Sequence, residues 1–142
     1  MNKTKIDEEF IFVYGTLQKN FSSDMHVILE RHCDFISDGY MRGKLFEVNG
    51  YPGAIQSEEQ NDLVYGEIYK IISNAELVLS QLDEYEECNN KYPHPHEYER
   101  AKCLISLSNE QEKLIAWVYI FKRNISNLNQ IKSGHYLSDV KK

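Results

Sequence analysis

The sequence has few cysteines, and their number and spacing argue against most of the roles that cysteine clusters play. Three occur among 142 residues, and no two of them form a CxxC pair. An odd count without close spacing argues against a disulfide framework and against a structural zinc site. Reduced, isolated thiols are typical of cytosolic proteins, so we expect a cytoplasmic location.

Long apolar runs and clustered basic residues are also missing. No apolar stretch approaches the roughly 20 residues that a membrane-spanning helix needs. The first nine residues are polar and charged, unlike a signal peptide. With 16 Lys and Arg against 22 Asp and Glu, the net charge is −6. Phosphate backbones are bound by clustered cations, so we expect neither nucleic acid nor a membrane as a partner. The sequence does not predict an oligomeric state.

What remains is the composition of an ordinary globular protein. Hydrophobic residues make up 42% of the chain and charged residues 27%. A chain of 142 residues can enclose one core but leaves little room for a second. We therefore expect a polar tail over residues 1–9 and a single domain over residues 10–142.

Strand patterns outnumber helix patterns. Phe10–Tyr14 is a continuous apolar run, typical of a strand buried on both faces. Four later segments also have strand patterns: Tyr40–Val48, Leu63–Ile72, Tyr98–Leu107 and Leu114–Phe121. The strands come in hairpin-like pairs rather than as βαβ repeats. The sequence therefore predicts an α+β fold with a curved or barrel-like, mostly antiparallel sheet.

Two helices are predicted between these strands. The first covers residues 22–33, with Ser22 or Ser23 as its N-cap. The second follows a Ser73–Glu76 capping box and ends at about Glu86, with Leu79, Leu82 and Tyr85 expected among its buried positions.

The first candidate site follows the apolar strand, at Tyr14–Leu17 (YGTL). Glycine at the end of a strand lets the backbone turn sharply and approach a ligand. Successive free N–H groups in such a turn can bind a carboxylate. An ordinary junction between a strand and a turn also explains the same residues.

The second candidate is Glu86, near the end of the second predicted helix. It comes four residues after Leu82, so the two share a helix face and Glu86 lies at its inner edge. Partial burial and the negative end of the helix dipole both raise the pKa of a carboxyl there. A carboxyl with a pKa nearer neutrality is suited to proton transfer. A solvated surface charge is the alternative explanation.

Two further groups of side chains have ordinary structural explanations. His94 and His96 lie two apart in the proline-containing loop 88–97, with Cys88 upstream, and two histidines and a thiol can bind zinc. No fourth ligand has suitable spacing, so we predict no metal. Several tyrosines end or interrupt an element, as tyrosines at the edge of a core do: Tyr14, Tyr98, Tyr119 and Tyr136.

Seven short motifs along the chain occur in an order that resembles a known family. They are FIFVYGTL (Phe10–Leu17), GYMRGKL (Gly39–Leu45), YPGA (Tyr51–Ala54), VYGE (Val64–Glu67), LDEYE (Leu82–Glu86), YER (Tyr98–Arg100) and AWVY (Ala116–Tyr119). Over roughly residues 10–137, their order and spacing resemble the γ-glutamylcyclotransferase-like superfamily, which includes the AIG2-like proteins.

The resemblance implies a small mixed β-barrel with flanking helices, and an enzyme that cyclises the γ-glutamyl group of a small-molecule substrate. The products are 5-oxoproline and a free amine or amino acid, and no cofactor is implied. Glu86 matches the family's catalytic acid/base. The residues expected to bind the substrate come from three of the motifs: Tyr14, Gly15, Thr16, Leu17, Gly53 and Tyr119.

Two features depart from the family pattern. Glu87 stands where relatives often have glycine, and the loop Cys88–Glu97 is extended. Both lie beside the expected pocket and leave the identity of the leaving amine open. Two alternatives therefore remain: a non-catalytic binding module on the same fold, or a cyclotransferase dedicated to removing a γ-glutamyl protecting group from a specialised amine.

Overall fold

The computed structural model describes residues 8–14, 24–108 and 111–136. Within these ranges the chain forms seven strands and two helices. In chain order they are β1 (Phe10–Val13), α1 (Asp24–His32), β2 (Cys33–Val48), β3 (Tyr51–Gln56), β4 (Leu63–Ile71), α2 (Ala75–Tyr85), β5 (Tyr98–Leu107), β6 (Lys113–Phe121) and β7 (Asn129–Gln130). Neither of the described helices is long and apolar enough to cross a membrane.

Five strands close into a barrel. Their order is β2-β4-β1-β6-β5, and β5 pairs back onto β2 through Gly39–Leu107 and Tyr40–Ser106. The β1–β6 pair is parallel, whereas the other pairs of the barrel are antiparallel. The predicted α+β fold, a small mixed and mostly antiparallel barrel with flanking helices, is confirmed.

The strand β1 runs through the middle of this barrel wall and is buried on both faces. Ile11 and Val13 join an apolar cluster that also receives side chains from both helices, including Leu29 and Leu82. Phe12 and the following Tyr14 join a second cluster on the other face. This alternation follows from the two-residue period of a strand and explains the uninterrupted apolar sequence. The same alternation places Tyr14, which directly follows β1, in a buried position.

The second strand is longer than the sequence pattern predicted. It begins at Cys33 rather than Tyr40, and its register with β4 shifts between Phe35 and Ser37. The turn between β2 and β3 is confined to Asn49 and Gly50, both with positive φ, and β3 begins directly after it. An Asn-Gly pair with this backbone is typical of a two-residue hairpin.

The second helix begins one residue later than the predicted capping box. Asn74 is its N-cap, and the Asn74 side chain accepts a hydrogen bond from Leu77 N (3.1 Å). Ser73 Oγ instead lies 2.7 Å from His32 Nδ1, which joins the ends of the two helices. Tyr85, expected to be buried, is 42% exposed, while Leu82 is fully buried. The predicted helix N-cap and the burial of Tyr85 are therefore wrong.

Candidate active site

The helix α2 ends in a Schellman motif that places Glu86 at its C-cap. Cys88 N donates to Asp83 O (3.0 Å), and Glu87 N donates to Glu84 O (3.1 Å). These two hydrogen bonds define the motif and require a left-handed residue after the cap. Glu87 has that conformation, with φ of 58°. Glycine is usual there because it has no Cβ to clash, so this helix end carries local strain.

Glu86 lines a cavity of about 610 Å³, a size suited to a small-molecule substrate. The cavity lies where the ends of β1 and α2 meet the start of β3, the loop 88–97 and the strands β5 and β6. Tyrosine and charged side chains supply the polar groups in its wall: Tyr14, Tyr51, Tyr85, Tyr92, Tyr98, Tyr119, Glu86, Glu87, Glu97, His96 and Arg123.

The environment of Glu86 makes its carboxyl suited to proton transfer. Burial raises the pKa of Glu86 to about 7, and the nearby carboxylates of Glu97, Asp83 and Glu87 add to the rise. Among the residues that the structure describes, none donates a hydrogen bond to this carboxyl or forms an ion pair with it. A carboxyl that titrates near neutral pH and is not held by a partner can both accept and release a proton.

Tyr14 is tied to the barrel by its hydroxyl. The hydroxyl donates to Tyr119 O (2.5 Å) and accepts from Ala54 N (3.1 Å). These contacts fix the end of β1 against β3 and β6, and burial raises the pKa of the Tyr14 phenol. The phenol stays protonated, and its hydroxyl both donates and accepts a hydrogen bond within the protein. Tyr14 therefore contributes its ring to the cavity wall. The neighbouring candidates Gly15, Thr16 and Leu17 lie outside the described residues.

Two more tyrosines fix the wall formed by β3 and the loop 88–97. Tyr98 OH donates to Pro52 O (2.5 Å), which ties the start of β5 to β3. Tyr51 OH donates to Glu97 Oε2 (2.8 Å), which holds the Glu97 carboxylate at the rim of the cavity. The carboxylate of Glu97 is therefore a fixed negative charge close to Glu86.

The loop 88–97 is anchored to the last turn of α2 by one carboxylate. Glu84 accepts hydrogen bonds from Tyr92 OH (2.7 Å) and Asn89 Nδ2 (2.7 Å), and pairs with Lys91 Nζ (3.0 Å). The hydrogen bond from Tyr92, followed by those from Asn89 and Lys91, lowers the pKa of Glu84 to about 2. This attachment holds Tyr92 where it contributes to the cavity wall.

A histidine in the same loop adds a second attachment. His96 is buried, its Nδ1 lies 2.8 Å from Glu99 Oε2, and its Nε2 lies 3.2 Å from Tyr92 O. His94 packs against the His96 ring, and one ligand atom from each of His94, His96 and Glu99 lies within 4.8 Å of the others. Such a group can hold a metal ion, but both ring nitrogens of His96 already face hydrogen-bond acceptors. The contacts present therefore fix the loop.

Cys88, the last residue of the Schellman motif, does not supply a nucleophile. Burial and the Asp83 carboxylate raise the pKa of its thiol to about 12. The thiol therefore stays protonated at neutral pH and lacks the thiolate that nucleophilic catalysis needs.

Sequence reasoning missed an ion pair beside the candidate acid/base. Arg100 Nε and Nη2 donate to the two carboxylate oxygens of Asp83 at 2.8 and 3.0 Å. Tyr119 OH donates to the same carboxylate at 2.7 Å. The sequence places Asp83 in LDEYE and Arg100 in YER, but no local spacing shows that two residues 17 apart are paired. The joint occurrence of the two motifs was the available signal.

The remaining sequence candidates occupy different positions. Tyr119 lines the cavity with its ring, while its hydroxyl and carbonyl are both bonded within the protein. Gly53 lies buried in β3 and is not among the described residues that line the cavity. A Cβ at this position would come within 3.0 Å of Phe121. Close packing of β3 on β6 therefore accounts for the glycine.

Comparisons with known proteins identify the family and agree with the fold. The family model described as "Gamma-glutamyl cyclotransferase, AIG2-like" matches residues 11–138. The gamma-glutamylcyclotransferase family protein YtfP of Escherichia coli is 32% identical over 128 residues, covering 89% of this chain and 95% of YtfP. The solution structure of ytfP from Escherichia coli has a TM-score of 0.61 at 27% identity, covering 94% of this chain and 99% of that one. An aig2-like protein from Mus musculus shares the fold, with a TM-score of 0.67 at 22% identity over 88% of this chain and 86% of that one. The chain belongs to the gamma-glutamyl cyclotransferase, AIG2-like family.

Proposed function

We propose that the protein is an active γ-glutamylcyclotransferase that converts a γ-glutamyl amine or amino acid to 5-oxoproline and the free amine. The observation that carries the proposal is the Glu86 carboxyl. It lines a cavity of suitable size, has a pKa raised to about 7, and has no hydrogen-bond donor among the described residues. A binding module without turnover has no need for a partly buried acid in this state.

The reaction is an intramolecular acyl transfer. Glu86, as the carboxylate, takes a proton from the α-ammonium of the substrate, and the freed amine attacks the γ-carbonyl carbon. A new C–N bond closes a five-membered ring, and the carbonyl oxygen becomes an oxyanion. When the oxyanion collapses, the bond to the leaving nitrogen breaks and Glu86 returns a proton to that nitrogen. Glu86, again a carboxylate, then accepts the second proton of the ring nitrogen and passes it to the departing amine, which leaves as an ammonium. The ring nitrogen thus loses two protons and the departing amine gains two, so no acid or base is consumed.

The protein's main contribution is to hold the substrate in a folded conformation. Nucleophile and electrophile belong to one molecule, so binding in the ring-closing conformer removes most of the entropic barrier. We assign the Tyr14–Leu17 loop to the γ-glutamyl end, where backbone N–H groups would bind the α-carboxylate or stabilise the oxyanion. The tyrosine-rich wall, with Tyr51 and Tyr92, then faces the leaving group.

A panel of substrates tests this function. Purified protein is incubated with γ-glutamyl dipeptides and γ-glutamyl alkylamines, and release of 5-oxoproline and of the amine is measured. Glu86→Gln should lower kcat on the order of 10²–10⁴-fold, because glutamine keeps the shape but cannot carry the proton. Glu76→Gln, an exposed carboxylate in the first turn of α2, is the matched control and should retain activity. Absence of 5-oxoproline with every substrate would favour the binding module, and a fully active Glu86→Gln would remove Glu86 from the mechanism.

The same panel addresses the specialised alternative. Turnover of one amine class far above all others would support a cyclotransferase dedicated to removing a γ-glutamyl protecting group. Comparable kcat/KM values across dipeptides and amines would support a general role in peptide metabolism.

A further inference from the structure

The carboxylate of Asp83, one helical turn before Glu86, is bonded from several sides. Arg100 approaches both of its oxygens in the bidentate geometry that favours arginine–carboxylate pairs. Tyr119 OH donates to one of these oxygens, and Cys88 Sγ lies 3.8 Å from it. The backbone carbonyl of Asp83 also accepts the Cys88 N–H that closes the Schellman motif. Both the side chain and the backbone of Asp83 therefore hold the end of α2.

The partners of Asp83 come from the barrel wall. Arg100 on β5 and Tyr119 on β6 are directly paired in the strand register. The Arg100 guanidinium also stacks on the Trp117 ring, 4.3 Å from its centre. The strands are held by their backbone ladder, so this pair offers a rigid support for the last turn of the helix. The support is needed because Glu87 occupies a left-handed position that glycine would occupy with less strain.

We propose that Asp83 is a positioning residue: through Arg100 and Tyr119 it fixes the last turn of α2 on the barrel and so sets the place of the Glu86 carboxyl in the cavity. The inference rests on the proposed function, since it assigns Asp83 a role in presenting the catalytic acid/base. Asp83 and Arg100 act through Glu86 and do not react themselves. A displacement of about 1 Å at a reacting group can cost on the order of 10²-fold in rate, so anchoring of this kind matters for kcat.

The ion pair also sets the charge around Glu86. Asp83 and Glu87 approach it from its own helix end, and Glu97 approaches from the loop 88–97. The phenols of Tyr14 and Tyr98 approach from β1 and β5, and His96 and Arg123 share the cavity wall. Arg100 compensates the negative charge of Asp83 within this group. Loss of Arg100 should therefore raise the pKa of Glu86, and loss of Asp83 should lower it.

Four variants separate positioning from general loss of structure. Asp83→Asn and Arg100→Gln should each lower kcat by about 10–100-fold with little change in KM. The acidic limb of the pH profile of kcat/KM reports the ionisation of Glu86. This limb should move to lower pH in Asp83→Asn and to higher pH in Arg100→Gln. Each shift should correspond to a change of about threefold in the proton-binding constant of Glu86. The double variant should return the limb towards wild type while kcat stays low. Arg100→Lys should keep the wild-type pH profile but recover only part of kcat, because lysine lacks the bidentate fork.

A second readout does not depend on turnover. Amide hydrogen exchange at Cys88, whose N–H bonds to Asp83 O, should accelerate in Asp83→Asn and Arg100→Gln. Exchange at Val78, whose N–H bonds to Asn74 O at the other end of α2, should not change. Opposite shifts of the pH profile together with faster exchange at Cys88 support the proposal. Shifts in the same direction, unchanged exchange at Cys88, or kcat equal to that of the Glu76→Gln control would overturn it.

The two proposals fail in different ways. If the wild-type protein releases no 5-oxoproline from any substrate, the proposed function fails, and the exchange measurement still decides whether Asp83 anchors the helix end. If the wild type is active and both single variants keep its kcat and its exchange pattern, the proposed function stands and the positioning role fails. If Arg100→Gln does not fold, kcat and amide exchange are measured on Arg100→Lys instead, and these measurements decide the positioning role.

Discussion

Replacing Glu86 with glutamine should stabilise the protein above neutral pH while it removes activity. The folded state raises the pKa of Glu86 from its ordinary 4.5 to about 7. Below a pH of 4.5 the carboxyl is protonated in both the folded and the unfolded chain, so its burial causes no loss of stability. Between the two values only the unfolded chain ionises, and the stability that Glu86 contributes is lost as pH rises through about 7.

The size of this effect follows from the pKa difference. A pKa difference of one between the folded and the unfolded chain corresponds to about 1.4 kcal/mol of unfolding free energy. The full difference for Glu86 therefore corresponds to about 3 kcal/mol at alkaline pH. Glu86 is partly exposed, and solvent screening reduces the expected gain to about 2 kcal/mol. Glutamine resembles the protonated acid in shape and does not titrate. The unfolding free energies of Glu86→Gln and wild type should therefore agree at about pH 4 and separate by about 2 kcal/mol at about pH 8.5.

Urea unfolding at a series of pH values measures this separation, and Glu84→Gln is the control with the opposite sign. The pKa of Glu84 is lowered to about 2 by its hydrogen bonds, so its stabilisation is present at neutral pH and is lost only as pH falls towards 2. Glu84→Gln should be less stable than wild type at neutral pH, and that difference should shrink in acid. A Glu86→Gln difference that does not change with pH, or that favours wild type at about pH 8.5, would refute the argument that the fold holds Glu86 at a cost in stability.

Three further predictions concern the surroundings of Glu86. Glu87→Gly should raise the free energy of unfolding by about 1 kcal/mol, because φ at this position suits glycine, and thermal unfolding with a lower melting temperature would contradict it. Shortening the loop Cys88–Glu97 should change the preference among leaving amines while a minimal γ-glutamyl substrate is still cyclised, whereas equal losses for all substrates would indicate a structural role. A crystal grown with 5-oxoproline should show its carboxylate within hydrogen-bond distance of the Tyr14–Leu17 amides, and amides all paired within the protein would count against this site.

The parts of the fold that sequence predicted well are those where one local pattern decides the outcome. The apolar run of β1 and the alternating strands β5 and β6 lie where expected, because a buried or half-buried strand imposes its period on the sequence. The first half of β2 has no such pattern: residues 34–38 are mostly exposed, and the register shifts after Phe35. Pairing with β4 makes this segment a strand, and that partner is remote in sequence.

The same distinction holds for the site. The four-residue spacing of Leu82 and Glu86 places the carboxyl at the inner edge of the helix, where the structure also has it. The surroundings that give this carboxyl its pKa come from separate elements. Glu97 lies in the loop, and the hydroxyl of Tyr51 on β3 fixes its carboxylate. Local spacing therefore predicted the acid but not the charges that surround it.

The end of α2 shows why local rules were insufficient there. The left-handed residue that follows a helix C-cap is usually glycine, and this chain has Glu87 there instead. The helix nevertheless ends at Glu86, because Asp83 is held by Arg100 and Tyr119 from the barrel wall. Tertiary contacts thus offset a strain of about 1–2 kcal/mol that the local sequence does not relieve. Glu87→Gly should therefore partly restore the wild-type helix end in Asp83→Asn. The stability gained from Glu87→Gly should be smaller in that background than in the wild type, because a helix end that is no longer held by Asp83 already relaxes part of the strain.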